Sequence, residues 1–563
     1  MFAYTGVLMM YWHSFRLKMV ETSDRKIMDS EQIDTNRRKY MAAVGMLGTA
    51  GLAGCAGNGD EDDVDTDTLN VAIRDSMEGM DSTLADLTMD FYALDNIVET
   101  LYRIGPDGNI YEKLATDLEI LDGGERWVIT LREGVMFHPP VDREMVADDV
   151  IANLDRVGDE AMGSPRRDKM APLSDWRAVD DYTIELEFET IDAGFRAVLD
   201  ARGFQVNARE TIEEAGSSSI TEPVGTGPYK FIEWEPREGV QLEAFEDYWD
   251  DQVDPIENVE ITPITEASVR VTELQNEDID VDLNPDYSLA GQYEDDPDIT
   301  LAESETTLGR RNILVNSTDG QTENRTDQRP LPTTVREIRQ AIDAAIDREA
   351  MLETVDNGYG TISQNLYPAD SPWGPDYEPF DYGQDLDRAR ELIEEADVPY
   401  DEPEITIITR SQNDPERQMG TLLEDWLTDA GFVVDLQELE TATWLELLND
   451  FQFDLRPGEG ALFADPSPFI NGRAMRTDEL SGYHGGENTN YEEVFELWEQ
   501  ANASPDQSER EELYHEAQRL YTDDASFIMC WHNTQLTAHR NSISGVRPLP
   551  DLRGQTIPNM QFE

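Results

Sequence analysis

Metal or acid–base chemistry would fall first to the six histidines, and they are scattered: His13, His138, His484, His515, His532 and His539. None stands four residues from another, the spacing that sets two imidazoles on one face of a zinc-binding helix. YHEAQR (514–519) begins like such a helix, but Arg519 holds the place of the second histidine, so it reads as one face of an ordinary capped helix. No Gly-Lys dipeptide and no G-x-S-x-G run occurs, which removes the P-loop and the nucleophile elbow. Aspartates 63, 65 and 67 alternate as in a calcium loop but lack its glycine and distal glutamate, so a solvated segment is the better reading. Carboxylates are too frequent for any pair of them to carry information. The inventory points to no enzyme, no metal and no cofactor.

One side chain has chemistry implied by its surroundings. Residues 37 to 57 read RRKYMAAVGMLGTAGLAGCAG. The apolar run is short of the roughly 20 residues a membrane span needs. A charged start, a soft apolar middle and small residues before a cut make an export signal. Arg37-Arg38 resembles the twin-arginine export address. Leu52-Ala53-Gly54-Cys55 resembles a lipoprotein box, in which the cut precedes the cysteine and its thiol carries lipid. We expect residues 1–54 to be signal, with translation starting at Met19 or Met28, and 55–69 to be an acidic flexible tether ending at the body of the protein. The other cysteine, Cys530, sits in the apolar run SFIMCWHN and reads as a buried small hydrophobe.

The 563 residues carry a formal net charge of −77. Only three lysines follow Cys55, namely Lys113, Lys169 and Lys230. Such a field repels nucleic acid and anionic lipid. Apolar residues make up 39% of the chain and aromatics 9%, enough to build a core, so the acidity belongs to the surface of a folded protein. This is the pattern of extreme halophiles, whose surface charge molar salt screens.

Periodicity supplies the elements. TLNVAIRD (68–75), WVITLREGVMFH (127–138) and DDYTIELEFE (180–189) read as strands, while FYALDNIVETLYRI (91–104) and MVADDVIANLDRV (145–157) have helical spacing. Thr334 and Glu337 predict a capping box for one helix, TVREIRQAIDAAIDREAML, with Val335, Ile338, Ile342, Ala345 and Ile346 on its buried face. DLDRARELIEEAD (385–397) is another helix. EITIITR (404–410), ERQMGTLLEDWLTDA (416–430) and FVVDLQELE (432–440) predict strand, helix, strand in a parallel unit. Ser508 and Glu511 are expected to cap the last helix, ahead of the SFIMCWHN strand.

Several of these stretches, in order, resemble one family. LREGVMFH with VADDVIANL, then VGTGPYKFIEW (224–234), FEDYWD (245–250), VREIRQAIDAAIDRE (335–349), RARELIEEAD (388–397) and REELYHEAQRLYTDDASFI (510–528) are similar to motifs of solute-binding family 5. These are the extracytoplasmic receptors of peptide- and nickel-type ABC importers, here of a haloarchaeal type. The resemblance implies an α/β, two-lobed hinge (Venus-flytrap) periplasmic-binding-protein-like fold, with lobe I enlarged by an extra subdomain. Lobe I would take 70–312 and 533–563, and lobe II 313–532, with NILVN (312–316) and FIMCWHN (527–533) crossing the hinge. The implied partners are a small solute, a peptide or an oligosaccharide, and a permease with its ATPases. The membrane would hold the protein by a lipid anchor on the outer face, and no nucleic acid is expected. A lipid-anchored surface hydrolase and a signalling receptor are the competing readings.

Gly225 and Gly227 are expected to adopt backbone conformations closed to other residues, with Tyr229 and Trp249 in the lobe I core. Ligand contacts belong on loops at strand ends facing the cleft. In lobe I these are Met80, Asp81 and Ser82. In lobe II they are Arg410 and Asn413 after the 404–410 strand, Trp373 in the loop SPWGP, and Leu462, Phe463 and Asp465 in GEGALFADPSPF (458–469). Peptide-binding members of the family hold the ligand's ammonium with an aspartate three residues before an Asp-Pro pair. The matching position here is Leu462, which cannot neutralise a charge, so the resemblance also admits a neutral, hydroxyl-rich cargo.

Overall fold

The computed structural model describes residues 67–317, 331–375, 383–396, 398, 402–470, 489–551 and 557–563. The twin arginines, Cys55 and nearly all of the expected tether lie outside them.

Thr68–Ile73 is a central strand, paired in parallel with Asn258–Pro263 on one side and Val281–Asp282 on the other. Its Leu69, Val71, Ala72 and Ile73 are almost wholly buried, as a parallel strand covered on both faces requires. The seven-stranded sheet around it continues outward through Gly239–Ala244 to Tyr229–Glu235 and, beyond Val281–Asp282, through Leu536–Arg540 to Ile299–Glu303. A second, six-stranded sheet has the order Gly360–Ile362, Phe527–Asn533, Gly309–Val315, Leu455–Ala461, Glu404–Arg410, Val433–Leu439. The expected parallel unit is present in it: Glu404–Arg410 pairs in parallel with Val433–Leu439 after the helix Asp414–Ala430. Every residue of Phe527–Asn533 is buried, Cys530 among them.

The chain passes between the two sheets twice, through 304–308 and through 534–535. Ile299–Glu303 and Leu536–Arg540 are antiparallel neighbours on one side, and Gly309–Val315 and Phe527–Asn533 are antiparallel neighbours on the other. Two adjacent connections make a hinge. The subdomain is a four-stranded antiparallel sheet, Ala115–Leu121, Arg126–Leu131, Thr183–Phe188 and Leu173–Asp180. The helix Ala147–Gly158 packs on it through Val150, Leu154 and Val157.

Four local expectations are corrected. Residues 91–104 are not one helix. Thr88–Ile97 is helical, Val98 turns extended, and Tyr102–Ile104 is a strand paired with Ile110–Glu112. The long run from Thr334 is two helices, Arg336–Ala344 and Arg348–Asp356. The second has its own cap, because the Asp347 carboxylate accepts from Ala350 N at 2.9 Å. Thr334 caps nothing; its Oγ1 donates to Leu331 O in a preceding 3-10 turn. The last helix, Gln507–Asp523, is capped by Asp506, which accepts from Glu509 N, rather than by Ser508. In the helices Arg348–Asp356 and Gln507–Asp523 the aspartate immediately before the first turn reaches the free amides first. Gly225 and Gly227 have no positive φ. A Cβ on either would strike the backbone of Asn96 or Ile97, so close approach, not an unusual dihedral, selects glycine. Tyr229 is fully buried in the lobe I core, and Trp249 packs at the core's edge with its Nε1 donating to Glu99.

Candidate ligand-binding cleft

The loop after the first strand turns its side chains inward. Met80 lies in the core and Asp81 is 1% exposed. The Asp81 carboxylate accepts from Arg156 Nη2 at 2.7 Å, Ile220 N at 2.9 Å and Thr83 N at 3.0 Å. Ser82 is equally buried, and its Oγ accepts from Asn207 Nδ2. These three residues tie the loop into lobe I.

In lobe II, Asn413 is the N-cap of the helix Asp414–Ala430, its Oδ1 accepting from Glu416 N at 3.0 Å. Arg410 is clamped by the Glu416 carboxylate, and its guanidinium carbon lies 5.2 Å from the Trp444 ring centroid. The structure gathers the other four residues elsewhere. Trp373 is nearly buried. Its Nε1 donates to Ala464 O at 2.7 Å, and its ring meets Tyr514 edge-on. Leu462 is buried, its amide donating to Leu308 O at 2.7 Å. Phe463 lies under the Lys169 ammonium, 4.2 Å from the ring centroid. Asp465 accepts from Arg510 Nη2 at 2.7 Å, so its charge is already answered within lobe II.

Loop 462–467 is also where the subdomain of lobe I meets lobe II. Ser467 Oγ donates to the Asp192 carboxylate, Ala193 N donates to Asn502 O at 2.8 Å, and Lys169 covers Phe463. Gly194 sits so close to Asp465 and Ser467 that a Cβ there would collide with both. Burial pushes the Asp192 carboxyl up to about 6; Asp465 raises it further while the Ser467 hydrogen bond opposes. Burial likewise lowers the Lys169 ammonium to about 8. Beside this latch opens a cleft of about 510 Å³ lined from both lobes, by Asp117 and Arg196 on one side and by Trp373, Asp465, Gln507 and Arg510 on the other.

A second feature went unseen in the sequence. On Gly309–Val315 and Leu455–Ala461, Arg310 stands opposite Gly460, Asn312 opposite Gly458 and Leu314 opposite Arg456. Directly opposed residues share a face, so both arginines lie on the face that carries Gly458 and Gly460, two positions of Leu455–Ala461 without side chains. A Cβ at Gly460 would lie 2.8 Å from the Arg310 guanidinium, and one at Gly458 would lie 3.8 Å from that of Arg456. Arg310 lies 5.1 Å from the Phe527 ring centroid, and Arg456 lies 5.3 Å from that of Trp444. Burial lowers both guanidinium groups to about 10, and Arg456 lowers Arg310 further. Both retain partial solvent access, as side chains lining a recess do. The only trace of this in the sequence is the alternation R-P-G-E-G at 456–460.

Comparison with known proteins agrees with this architecture. A family model described as bacterial extracellular solute-binding proteins, family 5 middle, matches residues 109–474. The glutathione-binding protein GsiB of Salmonella typhi is 22% identical over 495 residues, 85% of this chain and 92% of that protein. DppA from Helicobacter pylori, an ABC transporter-associated periplasmic binding protein solved with the peptide STSA, has a TM-score of 0.72 at 23% identity, covering 88% of this chain and 98% of that one. NikA from Brucella suis, solved with Fe(III)-EDTA, has a TM-score of 0.76 at 18% identity, covering 88% and 100%. These relatives are named for, or were solved with, the solutes they bind, and the two solved structures share the fold of this chain. The chain therefore belongs to the extracellular solute-binding proteins of family 5.

Proposed function

We propose that this protein captures a small solute, a peptide or a molecule of similar size, between its two lobes outside the cell membrane. It delivers that solute to an ABC permease driven by its ATPases. Ligand contacts made to both lobes at once favour the closed form, because only there are they all satisfied. The observation that carries this reading is the meeting of Asp192 and Ala193 with Ser467 and Asn502 beside a cleft lined from both lobes. The solutes of the relatives, glutathione for GsiB and the peptide STSA for DppA, favour peptides as the class to test first. In this reading Cys55 carries the lipid anchor and Arg37-Arg38 address the chain for export.

Two measurements test the reading. Purified from its host in molar salt and analysed by native mass spectrometry, the protein is expected to release a bound solute of a few hundred daltons. An empty protein that shows no compaction with any peptide or other small solute tried would refute capture. Cys55→Ser is expected to move the protein from the membrane fraction to the medium; equal membrane retention would refute the anchor.

A further inference from the structure

Among the described residues, the recess over Gly458 and Gly460 is rich in donors and poor in acceptors. Among the described residues Arg456 forms neither a hydrogen bond nor an ion pair, and its Nε is buried without a partner. The carboxylate that acts on it, Glu416, is already engaged by Arg410. The Trp444 Nε1–H beside it is also buried and unpartnered. Arg310 points into the same strip, with Asn312 Oδ1 as an acceptor. In a chain of net charge −77, where carboxylates outnumber cations almost everywhere, two arginines share a recess whose near carboxylate is taken. For Arg456, a half-buried cation with no counter-charge among the described residues, that is costly, and the buried Trp444 N–H without an acceptor adds to the cost. The site is incomplete as it stands, and what completes it must bring negative charge and acceptor oxygens.

We propose that this recess holds an oxyanion of the solute, a carboxylate or a phosphate, between Arg310 and Arg456, with Trp444 Nε1–H as a third donor. The cargo is therefore an organic anion rather than a neutral sugar. Spacing supports this. Gly458 and Gly460, over which the two guanidinium heads lie, are two residues apart, roughly 7 Å along the strand. One oxyanion can bridge that distance with charge-assisted N–O bonds of about 2.8 Å. The buried Leu462 agrees, because the loop offers the solute no free carboxylate there: Asp465 is held by Arg510. Molar chloride fills such a site poorly, since a spherical ion cannot satisfy two planar forks and an indole at once.

This proposal rests on solute capture between the lobes, and the test separates the two. Binding is measured by calorimetry in 3 M KCl with five probes: trialanine, trialanine amide, citrate, glycerol 3-phosphate and maltotriose. At least one acid is expected to bind, and maltotriose and the amide to bind on the order of 100-fold more weakly than the best acid, the loss of a charged pair of hydrogen bonds. Which acid wins distinguishes carboxylate from phosphate. Arg456→Gln is expected to weaken that acid by a similar factor, and Trp444→Phe, which removes only the indole N–H, by about 5- to 10-fold. Circular dichroism checks that each variant folds. Maltotriose or the amide binding as tightly as the acid, or Arg456→Gln binding the acid like the parent, overturns the anion proposal and leaves solute capture standing. No binding by any probe, together with no retained solute on purification, overturns both.

Discussion

Replacing Asp192 by asparagine should stabilise this protein above pH 6 and do nothing below pH 4. The Asp192 carboxyl is 2% exposed and titrates near 6 against an ordinary value of 3.8, because burial disfavours its charge more than Ser467 and Arg510 favour it. The shift is about 2 units, or roughly 3 kcal/mol of penalty on the ionised form once pH is well above 6. An acid whose folded-state value is raised stabilises the fold below its unfolded value, and that stability is lost as pH rises through the folded value. Asparagine keeps an oxygen to accept from Ser467 Oγ and Gly194 N but carries no charge. The difference in unfolding free energy, Asp192→Asn minus parent, should rise from near zero at pH 4 to about 2–3 kcal/mol at pH 7.5. Urea titrations in 3 M KCl at half-unit pH steps measure it. Taking the difference cancels every other titrating carboxylate, and salt screens a buried charge little. Because opening the lobes also wets Asp192, the same variant should favour the closed form above pH 6. A variant that is equally destabilised at pH 4 and pH 7.5 would refute the reasoning, since it would show the ionised carboxylate to be the attractive partner in the latch.

Arg156→Ala leaves the buried Asp81 carboxylate with only backbone donors and should cost about 3–5 kcal/mol in unfolding free energy; a loss below 1 kcal/mol would show that the Arg156–Asp81 pair adds little to the fold. Dialysis from molar to 0.1 M salt lengthens screening from about 3 Å to about 10 Å and should unfold a body this acidic, visible as loss of the far-ultraviolet dichroism. An unchanged spectrum would show that packing outweighs the self-repulsion.

The contrast between what was legible and what was not runs along a physical line. EITIITR and SFIMCWHN could be read as buried strands because most residues in each follow one local rule, apolar, β-branched or aromatic. They are found at Glu404–Arg410 and Phe527–Asn533. The helix caps failed by a few residues because Thr334, Asp347, Asp506 and Ser508 are all competent acceptors, and pattern alone does not rank them. The site residues divided more sharply. Loop 458–469 was chosen from the family resemblance, and its Phe463 and Asp465 are found at the junction of the lobes. Asp81 and Asn413 are also on loops at strand ends, but each closes a local structure, a buried ion pair and a helix cap. A polar residue after a strand looks the same in sequence whether it serves the fold or a ligand.

From its sequence alone this protein was determined as a large, acid-coated α/β body with a hydrophobic core, because charge, composition and periodicity are sums over residues and need no partner. The ordered motifs extended that to family 5 and two lobes. Only the tertiary structure decided which side chains meet. Asp192 and Ser467 are 275 residues apart in the chain, and Arg310 and Arg456 come together only because Gly309–Val315 and Leu455–Ala461 pair in one register. A shift of one residue in that pairing would turn one arginine of the two to the opposite face. The recess is therefore a property of the register, which long-range pairing sets and no local stretch encodes.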